Sequence, residues 1–387
     1  MPFYYRLGEI PHKRHTQFRK PDGSLYREEV MGTKGFSGIE SILYHHNAPT
    51  QIKHVGIVRD LSLEYEEPSP LRYRHLNTFA VNPPVEENDP IMGRIFMLGN
   101  EDVKIGIANP NKPMDYFYRN ADGDEVLFVH YGEGKLETIF GTIPYRKGDY
   151  LVIPVGTTYR IVMETDQTRF LVIESSDAIV TPKRYRNEHG QLLEHSPYCE
   201  RDIRPPQELV THNEKGDFEV RVKLRDQLNS YLFGFHPLDV VGWDGYLYPW
   251  AFNIADFEPI TGRIHQPPPV HQTFAGNGFV ICSFVPRLFD YHPEGIPAPY
   301  FHSNVDSDEV LYYVDGNFMS RRGINEGSIT LHPMGLPHGP HPGTIEASIG
   351  KKETNELAVM VDTFRPLRVT KQALTCEDEK YVYSWLE

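Results

Sequence analysis

Cysteine is scarce in this chain: three residues in 387, Cys199, Cys282 and Cys376, far apart and with no CxxC pair. That excludes a disulfide framework and suits a reducing compartment. Positive charge is short too, with 39 Lys and Arg against 53 Asp and Glu, a formal net charge of −14. Such an acidic excess argues against nucleic acid or an anionic membrane as a partner. No apolar run approaches a membrane span, and the opening MPFYYRLGEIPHKRH lacks the apolar core of a signal peptide. A cytoplasmic location is expected. Long helical periodicity is also lacking.

Aromatic and turn-forming residues, by contrast, are abundant. The 23 Tyr, 21 Phe, 32 Pro and 31 Gly point to many strands joined by tight turns. Strand-like runs occur near Gln51–Val58, Tyr73–Asn77, Arg94–Leu98, 103–108 and Phe218–Leu224. In His265–His271 the run Pro267-Pro268-Pro269 has no backbone donors, so this stretch reads as a rigid loop. Adjacent His45 and His46 would face opposite sides of a strand, which disfavours them as a metal pair. The polar segment 185–216 carries the expected boundary between a module over residues 1–200 and one over 201–387, with the second module's strands starting in 240–287.

The chain also repeats itself. FYRNADGDEVLFVHYG from Phe117 and FHSNVDSDEVLYYVDG from Phe301 match at a constant offset, pairing Asn120 with Asn304, Asp124 with Asp308, Glu125 with Glu309 and Gly132 with Gly316. A second pair, GDYLVIPVGTTY from Gly148 and GSITLHPMGLPH from Gly327, follows in the same order. Two ordered long-range matches indicate a duplicated module. The copies differ where chemistry would lie: His302, His332 and His338 stand where the first copy has Tyr118, Ile153 and Tyr159. Since the first copy does without these imidazoles, folding does not require them.

Two histidines and a carboxylate on a β scaffold, here His302, Glu309 and His338, match the facial triad that holds non-haem Fe(II) and leaves positions open for substrate and O2. Mn suits the same donors. Asp308 alternates to the opposite face from Glu309 and is expected in a turn or at the surface. Tyr313 shares the face of Glu309 and so lines a prospective cavity. Asn304 and His332 are candidates for hydrogen-bonding oxygen or substrate. Arg287, Arg321 and Arg322 are candidates for a substrate carboxylate, and His341 for orienting a ligand.

The order of these motifs resembles the cupin superfamily, which implies an all-β bicupin of two jelly-roll-type barrels. The runs PPPVHQTF, CSFVPRLFDYHPE, PYFHSNVDSDEV and SITLHPMGLPHGPHPG are similar to those of the homogentisate 1,2-dioxygenase family. That resemblance implies Fe(II) on His302, Glu309 and His338, with His332 facing the substrate. It implies a small aromatic substrate, homogentisate, cleaved by O2 to maleylacetoacetate in tyrosine breakdown, and a homo-oligomer of trimer or hexamer type. Where the family has a Trp-His-Gly run with a base, this chain has Trp243-Asp244-Gly245. Asp244 then holds the base position, with His271 or His265 as substitutes. Three alternatives stay open: a gentisate- or hydroquinone-type ring cleaver, a metal-dependent isomerase, and a non-catalytic ligand-binding bicupin.

Overall fold

The computed structural model describes residues 3–81, 86, 88–316, 318 and 323–386. The described chain is almost entirely β, with two short α-helices, Thr344–Ser348 and Lys371–Leu374. The architecture is a bicupin.

The first module is built from two sheets. One has eight strands, with Glu125–Tyr131, Arg169–Ser175, Asp149–Ile153 and Val103–Ala108 at its centre. The other has seven, including Phe117–Asn120, Tyr159–Met163 and Lys215–Leu224. Asp149–Ile153 and Arg169–Ser175 are buried at every position. A strand covered on both faces reads as a continuous apolar run, not an alternation.

The second module is a six-stranded sheet in the order Gln272–Gly276, Phe279–Phe284, Leu357–Thr363, Asp308–Asp315, Ser328–His332, Arg74–Asn77. The modules exchange strands. Arg74–Asn77 from the N-terminal half pairs with Ser328–His332, and Arg368–Val369 near the C-terminus pairs with Arg94–Gly99. One apolar core runs through both, joining Phe128 and Tyr150 to Phe274 and Ile281. Tyr312 ties them further, its hydroxyl 2.5 Å from His130 Nδ1 and 2.9 Å from Arg169 Nε.

Two expectations need correction. Strands Lys215–Leu224, Gln227–Phe235 and Trp250–Asn253 complete the first module's sheets, so pairing passes to the second module after residue 253 and not at 200. The cause is register: Trp250–Asn253 forms a ladder with Asp149–Ile153 that sequence periodicity cannot reveal. Val240–Gly245 likewise belongs elsewhere, in a four-stranded sheet with Tyr5–Gly8, Glu40–His45 and Arg27–Gly32. No helix among the described residues is long and apolar enough to cross a membrane.

Candidate metal centre

His302 and His338 meet through a backbone bridge: each N–H donates to the other's carbonyl at 2.8 Å. Glu309 is the second residue of the strand Asp308–Asp315 beside them. The turn that delivers His338 contains Pro333 and Gly335, whose φ of 81° is left-handed backbone that favours glycine. Its counterpart in the first copy, Gly156, has φ of 80°.

One donor atom from each of His302, Glu309 and His338 lies within 4.8 Å of the others. Glu309 Oε2 is 3.5 Å from Nε2 of both histidines. Each Nδ1 faces a backbone carbonyl two residues upstream, His302 to Tyr300 at 3.1 Å and His338 to Leu336 at 3.2 Å. An Nδ1–H donated to a carbonyl leaves the Nε2 lone pair free for a metal. His338 Nε2 is buried without a hydrogen-bond partner. Such an orphaned acceptor, converging with a second imidazole and a carboxylate, fits a divalent ion of the facial-triad type. Burial pushes the Glu309 pKa up, but contacts with His302, His332 and His338 outweigh it and hold the carboxyl well below the usual range.

His332 does not face a substrate. It is fully buried, with Nδ1 2.7 Å from Glu309 Oε1 and Nε2 3.1 Å from the Tyr381 hydroxyl. It pairs with Glu309 across the ladder, so it grips the carboxylate from behind. Asp308 is buried, not superficial: its oxygens accept the N–H groups of Met334 at 2.8 Å and Leu367 at 2.7 Å. Asp124 does the same for Val155 and Ile179 in the first copy, which explains the shared Asp. His341 stacks on Trp385 and contacts Ser384 Oγ at 2.7 Å.

A cavity of about 160 Å³ adjoins the triad, walled by Phe284, Leu311, Tyr313, Phe318, Met360, His265, His271, Arg287 and Glu356 among others. Apolar cavities of ~150 Å³ are large enough for a benzene ring. A second cavity of about 270 Å³ shares His265, His271 and Arg287. The Tyr313 hydroxyl reaches Thr330 Oγ1 at 3.1 Å, and Arg287 pairs with Glu356 at 2.9 Å. His271 stacks on Phe284 at 4.4 Å. Burial, then the Arg287 charge, pushes its pKa down to about 3, which makes it a poor proton acceptor. His265 is half exposed on the wall, packed edge-on against Tyr300 with Asp290 3.8 Å from its Nδ1.

Two predicted residues are not brought here. Asp244 is held in the four-stranded sheet, opposite Arg6 and Ile42, with its carboxylate accepting from the Tyr4 hydroxyl at 2.9 Å. It is absent from the wall of either cavity. Asn304 is exposed and lies outside the same walls. Arg321 and Arg322 lie outside the described residues.

The first copy reproduces the whole frame. Tyr118 and Tyr159 form the same cross-strand pair as His302 and His338, and Ile153 faces Glu125 as His332 faces Glu309. At the centre of this frame stands the Arg94 guanidinium. It is 2.5 Å from Glu125, 2.8 Å from Glu174 and 3.1 Å from the Tyr159 hydroxyl, and it packs on the Tyr118 ring. Glu125 is thus a fully buried ion-pair partner. Sequence reasoning missed Asp362, the cross-strand neighbour of Glu309. Burial, then the Glu309 charge, pushes its pKa up to about 8. The available signal was a carboxylate ending an apolar run in both copies, LVIE at Glu174 and VMVD at Asp362.

Residues 40–254 match the model described as homogentisate 1,2-dioxygenase N-terminal, and residues 259–387 match homogentisate 1,2-dioxygenase C-terminal. The chain belongs to the homogentisate 1,2-dioxygenase family. It is 44% identical to a protein of Saccharolobus solfataricus that carries the provisional name of a dioxygenase, over 100% of this chain and 99% of that one. It is 25% identical to the homogentisate 1,2-dioxygenase of Rhodopseudomonas palustris strain BisB5, over 98% and 90%. Among solved structures it is similar to a cupin 2 conserved barrel domain protein from Leptotrichia buccalis, with 12% identity, a TM-score of 0.35, and 79% and 100% of the two chains covered. Family membership makes the chain a dioxygenase-family protein and gives the triad its context.

Proposed function

We propose that the chain opens the ring of homogentisate (2,5-dihydroxyphenylacetate) with O2 to give maleylacetoacetate, using Fe(II) held by His302, Glu309 and His338. The observation that carries this reading is the ring-sized apolar cavity against the converging triad. When bound, a ferrous ion supplies electrons to O2 and acidifies a phenol that ligates it. Phe284, Leu311 and Met360 exclude water and hold the ring. Tyr313, anchored by Thr330, hydrogen-bonds a ring oxygen. Arg287, steadied by Glu356, receives the acetate. His265, and not Asp244 or the buried His271, takes the phenolic proton from the cavity wall.

The Arg287–Glu356 pair also favours a second reading. Its cation is already partly neutralised, which suits a hydroquinone-type diphenol that carries no carboxylate. A homo-oligomer is part of the proposal, supported by an edge strand, Ile52–Asp60, that exposes Val55 and Ile57. So is a cytoplasmic setting, in keeping with three free cysteines.

The test is O2 uptake by anaerobically iron-loaded protein given homogentisate or gentisate, with the ultraviolet spectrum of the product recorded. Uptake with homogentisate alone supports the reaction named. Uptake only with another diphenol replaces the substrate. No uptake with iron bound favours an isomerase or a binding protein.

A further inference from the structure

Asp362 lies on Leu357–Thr363, directly across the ladder from Glu309. Residues paired this way project to one face, with Cβ atoms about 5 Å apart. A second carboxyl therefore stands beside the Glu309 carboxylate, on the side of the sheet that carries the triad. Its Oδ1 is buried and has no hydrogen-bond partner. Buried carboxylate oxygens are costly to leave unpaired, and a bound ion or water is one way such a group is satisfied.

The first copy indicates which kind. There Glu174 stands across the ladder from Glu125 in the same register. Both carboxylates hold one cation, the Arg94 guanidinium, at 2.8 and 2.5 Å. In the second copy the paired carboxyls are Glu309 and Asp362, and the aromatic partners Tyr118 and Tyr159 have become His302 and His338. A cation between two paired carboxyls is thus part of the frame, whether it comes from an arginine or from solution.

We infer that Asp362 belongs to the metal centre as a positioning carboxyl that strengthens the hold on a divalent ion. It is not a direct ligand: among the described residues, the donors lying within 4.8 Å of one another are those of His302, Glu309 and His338. Its action is electrostatic: beside a bound cation the carboxyl is ionised, and it then adds a second negative group on the face where the ion sits. The same negative group can hold water bound to the ion. Groups of this outer kind change metal affinity by about 10–100-fold when altered.

The inference rests on the metal-centre reading, and the experiment separates the two. Mn(II) and, anaerobically, Fe(II) are added to metal-free full-length protein in a calorimeter, with ion content checked after desalting. The wild type is expected to take one ion per chain. D362N is expected to weaken binding about 10–100-fold. D362E, which keeps the charge, is expected to stay within about threefold of wild type, and E174Q in the first copy to bind the ion as wild type does. Affinity of D362N within twofold of wild type overturns the inference, as does equal weakening in D362N and D362E, which would make shape and not charge the cause. Should D362N fail to fold, D362S takes its place with the same two outcomes. A wild type that takes no ion would instead refute the metal centre itself.

Discussion

His302 and His338, far apart in sequence, exchange a pair of 2.8 Å backbone hydrogen bonds, and Tyr118 and Tyr159 are cross-strand partners at the corresponding place in the other copy. The scaffold presents two side chains at one point in both modules. Two imidazoles stand at those positions beside Glu309 in one copy, and two phenols beside the Arg94 guanidinium in the other.

Glu309→Gln removes the anionic donor and leaves His332 Nδ1 facing an amide. Stoichiometric metal binding is expected to disappear, with turnover of any diphenol falling at least ~100-fold, near the upper end of what losses at metal sites cost. Metal analysis after desalting checks this; retention of both would move the carboxylate role elsewhere.

His332→Gln probes the grip on Glu309 from behind. Metal affinity is expected to fall about 10–100-fold while the fold persists, and Tyr381→Phe should produce a smaller loss in the same direction. If His332 faced the substrate instead, KM would rise with metal affinity intact.

Arg94→Met tests the ion pair in the first copy. Removing the guanidinium leaves Glu125 buried and uncompensated, at a cost of about 3–5 kcal/mol. Urea denaturation should show the loss, and adding Glu125→Gln should recover part of it. Metal content of the second module should not change.

A pH dependence resides in His45, buried between Asp239 at 2.7 Å and Glu29 at 2.9 Å. Burial pushes its pKa down, but the two carboxylates outweigh burial and raise it to about 9. A histidine raised on folding contributes stability that is fully present below its unfolded pKa, ~6.5, and lost as pH climbs through the folded value. Melting temperature should therefore decline between about pH 6.5 and 9. His45→Gln should flatten that decline; an unchanged slope would assign it to other groups.

Much of the candidate site was legible because each member of the triad sits in a short, strongly marked segment. Glu309 opens an apolar strand run, His338 follows a Pro-x-Gly turn, and a second copy without imidazoles showed which residues folding does not need. The strand 103–108 is legible with its observed bounds, since periodicity is a local property. Asp244 is not brought to the triad because a motif neighbour is not a spatial neighbour: Trp243 anchors that strand by donating to Phe140 O at 2.7 Å, in the turn after strand Gly134–Thr138.

The sequence alone determined the β-rich duplicated plan, the triad and its confinement to one copy, because these depend on residue type, spacing and comparison within the chain. Tertiary structure decided what surrounds the triad. Asp362 and His332 reach Glu309 only through strand register, Arg94 meets Glu125 and Glu174 only across a sheet, and Tyr381 reaches His332 only when the C-terminal segment packs down. Such contacts are set by pairing between distant strands, and no single residue or local pattern carries a mark of its eventual partner.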